Sequence, residues 1–134
     1  MRILGVDLGA TRTGLALSDP LGITCSPLRV IVERDGAQTM LRVVEAAREH
    51  GVSEIVVGVP RPLRGGSNPQ LESAERFVQD LMALGEFKVS VCDERFTTKL
   101  AERGRSRDSQ QDSIAACYIL QGYLDSISTS REQR

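Results

Sequence analysis

The chain opens MRILGVDLGATRTGLALSD (residues 1–19), and the reading of that stretch decides the fold. Ile3 to Leu8 reads as a buried strand and Gly14 to Ser18 as a second, with Gly9 and Gly14 punctuating the short link between them. Asp7 interrupts the apolar run, at a place where a carboxylate is costly unless something uses it. Three uses are open to it: holding a metal, facing the phosphates of a nucleotide, or capping the turn.

Working outward, Leu28 to Glu33 reads as a third strand, and the short links predict an antiparallel meander. After Asp35-Gly36, Met40, Val43, Val44 and Ala47 recur at helical spacing until Gly51. Glu54 to Val59 is a nearly continuous apolar run, the pattern of a strand covered on both faces. Asn68-Pro69 supplies a cap and a first-turn proline for a helix whose Leu71, Ala74, Phe77, Val78, Leu81 and Leu84 share one face up to Gly85. Lys88 to Cys92 reads as a last strand, Thr98 to Arg103 as a short helix, and Ser109 to Ser126 as a long one. The order βββαβαβαα predicts an α/β fold with a five-stranded mixed sheet, three antiparallel strands then two parallel, and helices on both faces.

The size agrees with one unit. At 134 residues and 40% apolar, the chain can build one core, read as a domain over 1–125 followed by a polar tail over 126–134. A formal net charge of -1 gives no general attraction to nucleic acid or anionic membrane. Cys25, Cys92 and Cys117 are odd in number and lack C-x-x-C spacing, so they read as small buried thiols rather than a disulfide framework or a zinc site. With no signal peptide and no apolar run of bilayer length, the expected compartment is the cytoplasm, with no membrane partner.

Three acidic positions stand where packing alone would prefer something else: Asp7, the Asp93-Glu94 pair closing the last strand, and Asp112 early in the last helix. Asp112, Ala115, Ala116 and Ile119 fall on one helical face, so that face can lay Asp112 over the sheet. If the first and last strands run parallel near the centre of the sheet, Asp7 and the end of Lys88 to Cys92 approach each other. Three gathered carboxylates repel unless a cation compensates them. Mg²⁺ or Mn²⁺ does so with oxygen ligands alone, and a pair of such ions stabilises both oxygens of a phosphodiester displacement. Each acid also has a plainer use, Asp112 for instance as a first-turn partner of the helix dipole. Arg95, Lys99, Arg103, Arg105 and Arg107 crowd the segment after Glu94, and Arg61 and Arg64 lie in PRPLRGGSNP. Both are local basic stretches suited to phosphates, without the interleaved aromatics of a base-stacking platform.

In chain order, GVDLGATRTGLALSD, IVVGVPRPLRGG, VCDERFTT and DSIAACYILQGYLD resemble the YqgF family, also called RuvX, over nearly the whole length. The resemblance implies a ribonuclease H-like fold related to the resolvase RuvC and a metal-dependent nuclease acting in maturation of the 5′ end of the 16S ribosomal RNA precursor. It implies Asp7, Glu94 and Asp112 as the catalytic and metal-binding acids, with Asp93 beside them as a further candidate ligand and Arg12 as the family's arginine. Between Lys99 and Asp112 this chain is shorter than similar sequences, reduced to AERGRSRDSQQ. The nucleic-acid partner is then an RNA precursor, or branched DNA as the alternative, with a homodimer accompanying the latter because resolvases cut two strands. Two other classes compete: a sugar-kinase-like phosphate loop, since D-x-G-x-x-x-x-G fits Asp7 to Gly14, and a non-catalytic RNA-binding assembly factor on an inherited nuclease scaffold.

Overall fold

Apolar residues at alternate positions of two central strands need cover on both sides, and the fold supplies it with helices on each face. The computed structural model describes residues 1–60, 62, 65–93 and 109–132. Strands β1 (Arg2–Asp7), β2 (Arg12–Ser18), β3 (Cys25–Val32), β4 (Val52–Val59) and β5 (Lys88–Asp93) form one sheet in the order β3-β2-β1-β4-β5. The β1/β2 and β2/β3 pairs are antiparallel and the β1/β4 and β4/β5 pairs parallel, the expected mixed sheet. Helices α1 (Gly36–Glu49), α2 (Pro69–Leu84) and α3 (Ser109–Glu132) complete the described elements.

The two faces carry separate cores. Leu4, Val6, Leu15, Ile31, Ile55 and Val57 meet Val43, Val44 and Ala47 of α1 and Phe77, Val78 and Leu81 of α2. The intervening positions Ile3, Ala16 and Val56 meet Ala116, Ile119, Leu120 and Leu124 of α3. This is the period-2 alternation of a strand read on both sides. Burying Ile119, Leu120 and Leu124 contributes roughly 1.5–3 kcal/mol each. Helix propensities among ordinary residues differ by at most about 0.7 kcal/mol, so docking rather than propensity places α3.

The helix boundaries follow their caps. The Asp35 carboxylate accepts from the Ala37 backbone N–H at 2.9 Å, and the Asn68 side chain accepts from the Leu71 N–H at 2.8 Å with Pro69 in the first turn. Gly85, at φ 70°, ends α2 in the left-handed conformation that glycine adopts without a Cβ penalty.

The structure moves several expected boundaries. β2 begins at Arg12 rather than Gly14, and β3 at Cys25 rather than Leu28. The β2–β3 ladder continues to Ser18 and Cys25 through an irregularity between Leu15 and Ala16, and Pro27 is accommodated because β3 is an edge strand. α3 continues beyond Ser126 to Glu132, since no glycine or proline follows Gly122 to stop it. β5 is not central: β4 lies between β1 and β5, which sets their ends about 10 Å apart, two inter-strand spacings. The short helix read over Thr98 to Arg103 lies outside the described residues.

Candidate catalytic site

Two glycines in the sheet floor let α3 lie almost on the backbone. A Cβ on Gly5 would stand 2.8 Å from the Leu120 Cβ and 3.1 Å from the Ala116 carbonyl oxygen. A Cβ on Gly14 would overlap the backbone carbonyl of Asp112 outright. Gly9 is needed for another reason, since a side chain there would run into the Arg12 carbonyl, and its absence permits the tight β1–β2 connection. The space directly over Gly14 is filled by the main chain of α3.

This close approach assembles the site. Asp7, the last residue of β1, pairs directly with Gly14 on β2, and paired residues of an antiparallel ladder project to the same face. Asp7 is half-buried on the α3 side of the sheet, in phase with Ile3 and Gly5. Asp112, in the first turn of α3, rests on Gly14 and is 9% exposed. The first-strand acid and the last-helix acid thus share one sheet edge, with Ala115, Ala116 and Ile119 buried on the expected face beneath them.

Arg12 completes the cluster. Its Nη1 lies 4.0 Å from Asp112 Oδ2, and both atoms are buried without a hydrogen-bond partner. At that separation the pair attracts without forming a hydrogen bond. A buried carboxylate oxygen left unmatched costs about 1–3 kcal/mol or more, and such an orphan in a folded protein calls for an ion, a water or a catalytic use. Carboxylate oxygens are the hard donors that Mg²⁺ or Mn²⁺ takes, so the chemistry of two aspartates at one sheet edge fits such an ion. Among the described residues there is no group of three acidic, histidine or cysteine ligands.

The remaining candidates divide. Asp93 pairs with Val59, whose side chain packs with Leu71 and Ala74 of α2, so the register puts Asp93 on the face away from Asp7 and Asp112. Its neighbour Cys92 packs on the α3 side. Glu94, Arg95, Lys99, Arg103, Arg105 and Arg107 lie outside the described residues, as do Arg61 and Arg64. β4 ends at Val59 on the same sheet edge as Asp7, and beyond it the Gly65 N–H donates to the Pro62 carbonyl at 3.1 Å. Sequence reading missed the approach of Arg12 to Asp112; only the G-x-x-x-x-G spacing hinted that a backbone would come close there.

A three-strand meander continued by two parallel strands, with helices on both faces, is the ribonuclease H-like fold. Solved structures agree: RuvC of T. thermophilus in complex with a Holliday junction substrate shares the fold at TM-score 0.63 and 16% identity, with 96% of each chain covered. The Fowlpox virus resolvase, solved with Holliday junction DNA, does so at TM-score 0.56 and 12% identity, over 95% of this chain and 99% of that one. The chain belongs to the family described as RuvX, Holliday junction resolvase, which matches residues 1–126. Relatives bearing the name "Putative pre-16S rRNA nuclease" occur in Moorella thermoacetica, 42% identical over 95% of this chain and 96% of the relative, and in Ruminiclostridium cellulolyticum, 37% identical over 98% and 99%.

Proposed function

We propose that the protein is a metal-dependent nuclease that hydrolyses phosphodiester bonds in a ribosomal RNA precursor, at the 5′ end of the 16S sequence. The carrying observation is the buried, unmatched Asp112 Oδ2 held by Gly14 at the same sheet edge as Asp7. Asp7 and Asp112, with Glu94 as the third acid, hold Mg²⁺ or Mn²⁺, two ions when the site is full. Asp93, on the other face, is the weaker candidate. The metal, when bound, lowers the pKa of a coordinated water and offsets charge on the phosphate.

The chain's own residues do the rest. Asp7, on a strand whose neighbours are packed, and Asp112, seated on a backbone contact, fix ligand positions more closely than loop residues could. Arg12 stands beside Asp112 with a guanidinium suited to forked contacts with phosphate oxygens. Arg61, Arg64, Arg95, Lys99, Arg103, Arg105 and Arg107 supply charge along the strand being cut. The names of the relatives support the RNA precursor as substrate and the cytoplasm as the compartment. The family description keeps branched DNA as the competing substrate, for which a homodimer would present two sites.

The test is a cleavage panel with Mg²⁺ or Mn²⁺: precursor ribosomal RNA, linear RNA and four-way DNA junctions, with wild type and Asp7→Asn. Metal-dependent cutting of the precursor, lost in Asp7→Asn, is expected. Cleavage that survives Asp7→Asn, or cutting confined to junctions, overturns the assignment of site or of substrate respectively.

A further inference from the structure

Arg12 and Gly14 are alternate residues of β2 and project to the same face as Ala16, the face that α3 covers. With the Asp112 main chain seated on Gly14, the Arg12 side chain meets the first turn of α3. Asp7 pairs with Gly14, which makes it the diagonal neighbour of Arg12 across the β1–β2 ladder. One cation therefore stands where the two acids come together.

Its contact with Asp112 is incomplete. Elsewhere the fold closes an arginine on a carboxylate in full: Arg48 donates to Glu86 through Nε at 2.8 Å and through Nη2 at 2.6 Å. Arg12 Nη1 stops 4.0 Å from Asp112 Oδ2, and neither atom has a hydrogen-bond partner although both are buried. The Arg12 side chain as a whole is 40% exposed, against 12% for Asp112. The guanidinium thus turns one nitrogen toward the acid while much of the side chain stays open to solvent. Separating this pair loses Coulomb attraction but no hydrogen bond.

We propose that Arg12 is a displaceable counter-ion: it offsets the Asp112 charge in the metal-free protein and couples the binding of a divalent cation to the binding of a nucleic-acid phosphate. The proposal rests on the metal-dependent reading of the site and assigns a regulation to it. A guanidinium beside Asp112 lowers the repulsion among the acids, and the same positive charge opposes a divalent ion at that carboxylate. A strand phosphate offers Arg12 the forked acceptor that Asp112 does not. Once Arg12 turns to the phosphate, Asp112 Oδ2 is left to the cation. Linkage makes the effect reciprocal, so cation and strand tighten each other's binding by the same factor. The protein alone holds its metal weakly, and a ligand lacking charged phosphates does not recruit it.

Metal binding tests the sign. Mn²⁺ is titrated into full-length wild type, Arg12→Gln, Arg12→Lys and Asp112→Asn without nucleic acid, and the free ion is followed by electron paramagnetic resonance. Arg12→Gln should bind Mn²⁺ tighter by about tenfold, the effect of removing a unit charge a few ångströms from a divalent ion under near-bulk screening. Arg12→Lys should stay close to wild type, and Asp112→Asn should weaken binding. An arginine that merely braced α3 would give the opposite sign, since its loss would loosen Asp112. Unchanged or weaker Mn²⁺ binding in Arg12→Gln, with Asp112→Asn still impaired, overturns the counter-ion role and leaves the metal site standing. Binding indifferent to Asp112→Asn overturns the metal reading and this inference together. A second measurement needs no variant: fluorescence anisotropy of labelled single-stranded RNA at constant ionic strength, with and without Ca²⁺, which takes the same oxygen donors, gels verifying that the RNA stays intact. Wild type should bind the RNA tighter with Ca²⁺, and Arg12→Gln should lose part of that gain. RNA affinity of the wild type independent of Ca²⁺ overturns the coupling.

Discussion

In the proposed site, Asp112 is the residue at which stability and function would oppose each other. Its Oδ2 is buried beside Arg12 Nη1, neither atom hydrogen-bonded, at 4.0 Å. An ordinary core would not retain that arrangement, since an unmatched charge-bearing group costs more than an apolar replacement. Asp112→Asn removes the formal charge with little change in shape. It should leave thermal stability unchanged or slightly raised in metal-free buffer while lowering metal-dependent cleavage by at least about 100-fold, the upper range for losing a mere outer-shell partner of a metal site. Paired urea unfolding and cleavage measurements check this, and a variant that loses both in parallel would make Asp112 a structural residue. That Asp7 and Asp112 stand where packing does not favour an aspartate, in a buried strand and on an apolar helical face, was legible in the sequence. The orphaned atoms were not, because they depend on a 4.0 Å separation between residues 100 positions apart.

At the scale of elements, the decisive contact is between a helix and a strand with nothing between them. Ala16, Gly14 and Gly5 make a shallow floor on which Ala116 and Leu120 settle, and the Asp112 main chain reaches Gly14 itself. Gly14→Ala inserts a methyl group where that carbonyl lies. Because backbone has to give way rather than a flexible side chain, the cost should reach or exceed the upper end of about 1–3 kcal/mol for overpacking. Chemical denaturation measures it, and hydrogen exchange should show the first turns of α3 loosening before the rest of the helix. Gly14 was readable as a turn or spacing residue, not as the seat of a helix, since a glycine does not announce which backbone will approach it. Asn68, Pro69 and Gly85 mark the ends of α2 where local chemistry alone requires them, which is why that helix was placed to the residue. The beginnings of β2 and β3 were missed because a ladder continues as far as its partner permits.

The whole molecule has a second polar centre at the opposite end of the sheet. Glu54 is 7% exposed and accepts from Ser90 Oγ at 2.6 Å and from the Tyr123 hydroxyl, tying β4, β5 and α3 together. Burial, then the neighbouring Glu54 carboxylate, pushes the Tyr123 hydroxyl above its ordinary value of 10.0. A tyrosine raised in the folded state favours folding through its neutral form. That contribution is complete below the unfolded value and is lost as pH rises through the folded one. Stability should therefore fall on the alkaline side of about pH 10, and Tyr123→Phe should flatten that fall. Unfolding curves across the alkaline range, with tyrosinate absorbance followed in the same samples, distinguish this from general alkaline denaturation, which the substitution would leave in place.

The division between sequence and tertiary structure follows from the range of the forces involved. Hydrophobic periodicity, caps and punctuation act over a few residues, so the sequence by itself determined the strands and helices, their order, the mixed sheet and the acids at Asp7 and Asp112. Strand order across a sheet is a long-range competition for burial. Only the folded chain decided that β4 stands between β1 and β5, that Asp93 turns to the face opposite Asp7, and that two glycines admit α3 closely enough to set Asp112 beside Arg12. The same packing brought Cys25 to Cys117, a contact between an edge strand and a distant helix that no local pattern encodes.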